Sequence, residues 1–141
     1  MAVADTFEYL LGEWSLHRII ADHRSNARGT FAGTADVRVV DNGAQYEERG
    51  QLQYAGYDGN AGRTHEYHAT ENGTVLVNFS DGRPFFELDL RTGACRADHQ
   101  CGEDLHELSF ECHGTDLIRE HWRVTGPSKD YSATTTWQRL L

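Results

Sequence analysis

Among its 141 residues the chain has only two prolines, no clustered run of Lys and Arg, and no apolar stretch approaching the roughly 20 residues a membrane-spanning helix needs. The last absence excludes a spanning helix. The lack of a basic run, with 13 Lys plus Arg against 22 Asp plus Glu and a formal charge of -9, excludes a surface that neutralises a phosphate backbone. It also argues against adsorption on an anionic membrane. Cysteine is scarce: Cys95, Cys101 and Cys112 are an odd set with no paired spacing, which suits reduced thiols and not a disulfide framework. No Gly-rich phosphate loop, nucleophile elbow or His-Glu-x-x-His run is present. Repeats, low-complexity tracts and linkers are also missing, so the length suits one barrel domain over residues 1–141 with one core. Asp5 and Glu8 fall where an export signal would need its apolar segment, and the expected compartment is the cytoplasm.

What the chain does have is a period of two. Val75, Val77 and Phe79 alternate with polar residues, and so do Phe86, Leu88 and Leu90, on either side of Asp81-Gly82, a pair suited to a two-residue type I′ hairpin turn. Folding about that turn sets Val77 opposite Phe86 and Val75 opposite Leu88, so both apolar sets share a face. A second turn at Thr92-Gly93 would set Leu90 opposite Cys95, Leu88 opposite Ala97 and Phe86 opposite His99, which brings a histidine inward beside Phe86.

Residues 5–12 read as a short helix, with Asp5 as cap, Glu8 three positions on, Phe7, Leu10 and Leu11 on one face and Gly12 at its end. Too short to be stable alone, it needs a surface to close over, such as a barrel mouth. Strand patterns follow. Trp14, Leu16, Arg18 and Ile20 share one side; Phe31, Gly33, Ala35, Val37 and Val39 share another. After an Asp41-Asn42-Gly43 turn, Tyr46, Glu48, Leu52 and Tyr54 have common parity. Residues 63–70 form a further strand of open facing: a two-residue turn at Asn72-Gly73 turns His68 inward, whereas the aromatic pattern prefers Tyr67. Leu108, Phe110 and Cys112, then Ile118, Trp122 and Val124, then Tyr131, Ala133, Thr135 and Trp137 mark the last three strands. The spacing predicts an all-β fold, an up-and-down antiparallel barrel of about ten strands with a short N-terminal helix.

Arg18 and Glu48 are charged residues on inward parities, where an unpartnered charge is costly, so the two are expected to pair. The pair reads either as a structural tie between strands or as a device by which Arg18 orients a ligand's carboxylate or carbonyl. Cys95, His99 and Cys101 alternate on one strand and offer soft ligands, but a structural zinc site takes four, and one strand spaces alternate side chains too widely. No metal and no cofactor are expected. Gly126-Pro127-Ser128-Lys129-Asp130-Tyr131 is a turn into the last strand that would also admit an anion, and Asp81 with Arg83 is a local pair.

A helix followed by Gly12-Glu13-Trp14 at a first strand resembles the opening of the calycin superfamily, which includes lipocalins and fatty-acid-binding proteins. Trp14-Ser-Leu-His-Arg18, Phe79-Ser-Asp-Gly-Arg-Pro-Phe85, His99-Gln-Cys101 followed by Asp104, and Gly126-Pro-Ser-Lys-Asp-Tyr131 together resemble an uncharacterised family of single-domain bacterial proteins, a domain of unknown function given a calycin-like barrel. The resemblance extends over nearly the whole chain. It departs at Phe86, where the family pattern carries His, and at Ser128, where it carries Arg, so chemistry needing two neighbouring imidazoles is in doubt.

These readings converge on a barrel that holds a small, largely apolar molecule with one polar end, with Arg18, Tyr46, Glu48, Tyr67, Phe86, His99 and Tyr131 as candidate ligand-binding residues. The expected partner is that small hydrophobic or amphipathic molecule, with neither nucleic acid nor membrane. The alternative is an isomerase- or cyclase-type enzyme using His99 as general acid or base, with Arg18 and Tyr46 stabilising oxygen charge. Further alternatives are a barrel that binds haem through one axial histidine and a structural partner protein.

Overall fold

The computed structural model describes residues 1–141. A short helix α1 (Thr6–Leu10) precedes ten strands: β1 (Gly12–Asp22), β2 (Arg28–Val40), β3 (Gly43–Tyr54), β4 (Tyr57–Ala69), β5 (Val75–Phe79), β6 (Pro84–Leu88), β7 (Ala94–Cys101), β8 (Asp104–Cys112), β9 (Leu117–Thr125) and β10 (Asp130–Arg139). All pair antiparallel in one sheet of order β6-β5-β4-β3-β2-β1-β10-β9-β8-β7, so the first strand pairs with the last and the sheet curls into a nearly closed barrel. This is the all-β up-and-down barrel that the period-two pattern predicts.

The inner face is apolar because the alternation holds in nearly every strand. Trp14, Leu16, Phe31, Ala35, Val37, Tyr46, Val77, Leu108, Phe110, Ile118 and Trp137 are all buried in one core. Val39, at the end of β2, is an exception: it has the inward parity but is 65% exposed, because the strand has by then run past the rim.

Helix α1 plugs one end of the barrel. Asp5 caps it, accepting from Glu8 N at 3.0 Å, and buried Leu10 offers its carbonyl to Trp14 Nε1 at 3.0 Å. The helix is shorter than expected. It stops at Leu10, and Gly12 starts β1 instead of capping, since Leu11 is already extended (φ -60, ψ 140).

Three connections differ from the sequence reading. Strands β4 and β5 are joined not by a two-residue turn but by Thr70–Thr74, closed by Thr70 N donating to Thr74 O at 3.0 Å. The added residues set Ala69 opposite Val75 and Tyr67 opposite Val77, so Tyr67 is the inward residue and His68 sits beside Leu76 on the outer face. Strand β4 also begins earlier than residue 63, because Ala55-Gly56, at φ 49 and 86, makes a tight turn of the type that demands positive φ at both positions.

Between β5 and β6 the turn spans Ser80, Asp81 and Gly82, with Gly82 N donating to Phe79 O at 2.9 Å and Phe79 N to Arg83 O at 2.8 Å. Gly82 takes the left-handed conformation (φ 89) of a three-residue hairpin loop, not of a type I′ turn. One residue more in the loop would invert every facing, yet a register shift between Val77 and Asn78 restores it, and Val77↔Phe86 and Val75↔Leu88 stand as expected. The extra residue in that bulge is Phe85, which is therefore driven inward and is 4% exposed.

The Thr92-Gly93 hairpin does not form. Strands β6 and β7 are the two edges of the sheet, so Phe86 is not laddered to His99. The physical reason lies in competing acceptors: Leu90 N donates to Thr6 Oγ1 of the helix at 3.0 Å, and Asp89 N to Cys95 Sγ at 3.4 Å. The seam is thus closed by side chains.

Candidate functional site

The end opposite α1 carries a cavity of about 200 Å³. Its walls are Ile20, Phe31, Leu52, Ala61, Trp122, Tyr131 and Ala133, and its polar groups are Arg18, Glu48, Arg63 and Thr135. At roughly 30 Å³ per water in the liquid it has room for about seven waters' worth of ligand, far less than a porphyrin needs. No histidine is on its wall.

Arg18 and Glu48 come from β1 and β3, on either side of β2. On the inner face between them β2 presents Gly33, whose lack of a side chain leaves the path open. Gly33 is also where the backbones of β2 and β3 crowd together: a Cβ there would stand 2.1 Å from Arg49 O and 2.7 Å from Gly50 Cα. Arg18 Nη1 donates to Glu48 Oε2 at 2.8 Å, Nη2 to Oε1 at 3.0 Å, and Nε to Thr135 Oγ1 at 2.8 Å. Tyr46 donates its hydroxyl to Glu48 Oε1 at 2.5 Å.

With Arg18 7% and Glu48 3% exposed, burial opposes both charges, but the pairing wins. Burial alone would raise the Glu48 carboxyl; the Arg18 hydrogen bonds and the charges of Arg63 and Arg18 hold it well below the usual carboxylate range. Burial likewise disfavours the Arg18 cation, and the Glu48 carboxylate more than restores it. Burial drives the Tyr46 and Tyr67 hydroxyls well above their ordinary value, so both remain neutral donors.

Two interior charges went unmarked in the sequence reading. Arg63 has the parity of Tyr67 and escaped because the facing of that strand was open. Its guanidinium lies over the Trp122 ring at 4.7 Å, and its Nε is 3.3 Å from Glu48 Oε1, out of line for a hydrogen bond. Glu120, 4% exposed, alternates with Ile118 and Trp122 and accepts from Trp137 Nε1 at 2.8 Å and from Trp122 Nε1. A charged residue within an apolar alternation was the same signal that singled out Arg18 and Glu48.

Of the seven candidate residues, Arg18, Glu48 and Tyr131 stand on the cavity wall. Tyr46 lies behind Glu48. Tyr67 stacks on Tyr46 at 5.7 Å, away from the cavity, and Phe86 stacks on Phe110 at 5.8 Å near the seam. His99 is half-buried in a separate cluster, with ring centroids 5.2 Å from Phe85, 5.6 Å from Phe79 and 5.9 Å from His106. The pocket wall beside His99 is therefore Phe85 and not Phe86, as the bulge in β6 dictates. The His99 ring makes no hydrogen bond to the protein, and its neighbours are Phe79, Phe85 and His106.

His65 adjoins this cluster, 5.7 Å from Phe85, and burial, helped by the Arg63 charge, pushes its pKa down to about 4. His106 is lowered by burial and by His99, and its Nδ1 is buried without a partner. Cys95 and Cys112 are raised by burial, Cys101 is exposed, and all three thiols are free. No group of three or more His, Cys, Asp or Glu side chains stands together as a metal site. In the turn before β10, Lys129 is paired with Asp104 at 3.0 Å, which occupies the cation an anion would have sought there.

Fold and cavity together define a ten-stranded antiparallel barrel plugged at one end by a helix and open at the other onto a small charged-floored cavity. The sequence matches the family of unknown function DUF6314 over residues 10–139, and the chain belongs to that family. No curated protein matches it. Among solved structures it is similar to a protein of unknown function from the DUF3598 family of Nostoc punctiforme, at a TM-score of 0.67 and 16% identity, over 96% of this chain and 49% of that one. The chain thus spans about half the length of the Nostoc protein. It is also similar to an S-type phycobiliprotein lyase from Guillardia theta, at a TM-score of 0.68 and 12% identity, over 100% of this chain and 94% of that one. At such identities the likeness concerns the fold. No helix is long and apolar enough to cross a membrane.

Proposed function

We propose that this protein is a small-molecule holder whose site is the open-end cavity, taking a largely apolar ligand of about benzene-ring size with one polar end. The observation that carries this reading is the asymmetry of the barrel interior. One end is filled by Leu10, Trp14 and Trp137, each at most 2% exposed, whereas the other opens onto a cavity of about 200 Å³ between apolar walls and a buried ion pair. Apolar walls left open to water at that end are surface that a bound apolar molecule would cover, and the filled end offers none. The likeness in fold to a phycobiliprotein lyase is in keeping with a barrel that handles a small molecule.

The test is native mass spectrometry on protein from its own host, beside an Ala133→Phe variant that fills the cavity. A co-purified small molecule present in the parent and lost from a folded variant is the expected result. A bare parent, or equal retention by the filled variant, would overturn the assignment.

A further inference from the structure

Among the polar groups of the cavity, three satisfy one another. Arg18 spends its Nε on Thr135 and its terminal nitrogens on Glu48, and the Glu48 oxygens accept three hydrogen bonds from Arg18 and Tyr46. That leaves Arg63 and Tyr131. Arg63 forms no hydrogen bond in the protein: the Trp122 ring beneath it and Glu48 beside it hold the guanidinium in place without using its donors, and its side chain is 35% exposed. Tyr131, half-buried on the same wall, has a hydroxyl with no protein partner. The cavity therefore offers the free donors of the Arg63 guanidinium and a Tyr131 hydroxyl able to donate, while its carboxylate, Glu48, is already engaged by Arg18 and Tyr46.

We infer that Arg63, assisted by the Tyr131 hydroxyl, receives the carboxylate of a small apolar monocarboxylate whose body lies against Phe31, Leu52 and Trp122. This rests on reading the cavity as a ligand site and goes further by naming the ligand class and the residue that selects it. A deprotonated carboxylate is acceptor-only and matches the free donors of Arg63 and Tyr131, and the fork of a guanidinium fits it bidentately. An amine would bring donors to donors beside two arginines. An alcohol or amide would satisfy one donor and bring no negative charge to Arg63, whose neighbouring carboxylate, Glu48, is already paired bidentately with Arg18. The arginine expected to orient a ligand was Arg18, but three of its five N–H donors are taken by Glu48 and Thr135 and its charge is met by the bidentate Glu48 carboxylate, so the role passes to Arg63.

Phenylacetate, its near-isosteric amide phenylacetamide and phenethyl alcohol are titrated into the full-length protein by calorimetry, with Trp122 fluorescence as a second signal. The wild type is expected to bind phenylacetate about tenfold or more tightly than the two neutral probes. Arg63→Gln should abolish that preference while still binding phenethyl alcohol, and Arg63→Lys should restore part of it. Tyr131→Phe should reduce the preference less than Arg63→Gln does.

Neutral probes that bind the wild type as tightly as phenylacetate would overturn the carboxylate inference and leave the cavity reading intact. So would a preference that survives Arg63→Gln. Failure of all three probes with the wild type would overturn both. The wild-type comparison decides the matter even if a variant does not fold.

Discussion

Arg18 and Glu48 meet inside the barrel as a bidentate ion pair at 2.8 and 3.0 Å, passing over Gly33, which has no side chain to stand in their way. The pair ties β1 to β3 across a strand to which both are bonded, and it forms the floor of the cavity. Such a pair adds little net stability over an apolar replacement, but removing one partner strands a buried charge.

Breaking it should therefore be costly and asymmetric. Arg18→Met leaves Glu48 with Arg63 nearby at 3.3 Å, whereas Glu48→Gln leaves two guanidinium groups facing one neutral amide. Urea denaturation should show losses of about 3–5 kcal/mol for the single variants, larger for Glu48→Gln, and a distinctly smaller loss for the double variant Arg18→Met/Glu48→Leu. Single losses under about 1 kcal/mol, or a double loss equal to their sum, would mean that the pair is not coupled as described.

Acid should destabilise the fold in two stages. His65 titrates near 4 when folded against an ordinary 6.5, so between those values the unfolded chain takes up a proton that the folded chain refuses. Its contribution is present above pH 6.5 and is lost as pH falls toward 4, up to about 3 kcal/mol at 1.36 kcal/mol per pH unit. His106, also lowered by burial, contributes a loss in the same direction as pH falls below its ordinary 6.5. Glu48, also depressed, gives a second loss beginning below its ordinary 4.5. His65→Phe should shrink the first stage to the part that His106 supplies and leave the second; melting temperatures between pH 7 and pH 3 that fall equally in both proteins would count against the assignment.

A metal site can be built at the seam, but only from the residue the bulge turns inward. Phe85 lies 5.2 Å from His99, 5.8 Å from His106 and 5.7 Å from His65 by ring centroids. Phe85→His should therefore bring several imidazoles together and create calorimetrically measurable nickel affinity. Phe86→His, facing Phe110 instead, should gain none. The reverse order of affinities would show that the bulge in β6 is misplaced.

Much of this protein is legible from its sequence because facing along a strand is a local matter. Alternation with a period of two puts Trp14, Leu16 and Arg18 on one side, and Tyr46 and Glu48 on one side, whatever the rest of the chain does. The barrel, its ten strands and the Arg18–Glu48 pair follow from that parity together with the expense of an unpaired buried charge. Glu120 carried the same signal.

What depended on tertiary structure was pairing between strands, since one residue more or less in a connection inverts every facing beyond it. The five residues of Thr70–Thr74 decided for Tyr67 over His68, and brought Arg63 inward with it. The three-residue turn at Gly82 and the bulge at Phe85 cancel each other, a compensation that no local pattern encodes. At the seam between β6 and β7 the N–H of Leu90 goes to Thr6, 84 residues away, and that of Asp89 to Cys95 Sγ, in place of a strand-to-strand ladder. The cavity is likewise a product of assembly: Ile20, Phe31, Leu52, Trp122 and Tyr131 come from five strands, and only closure of the sheet brings β1 against β10 and sets them around one space.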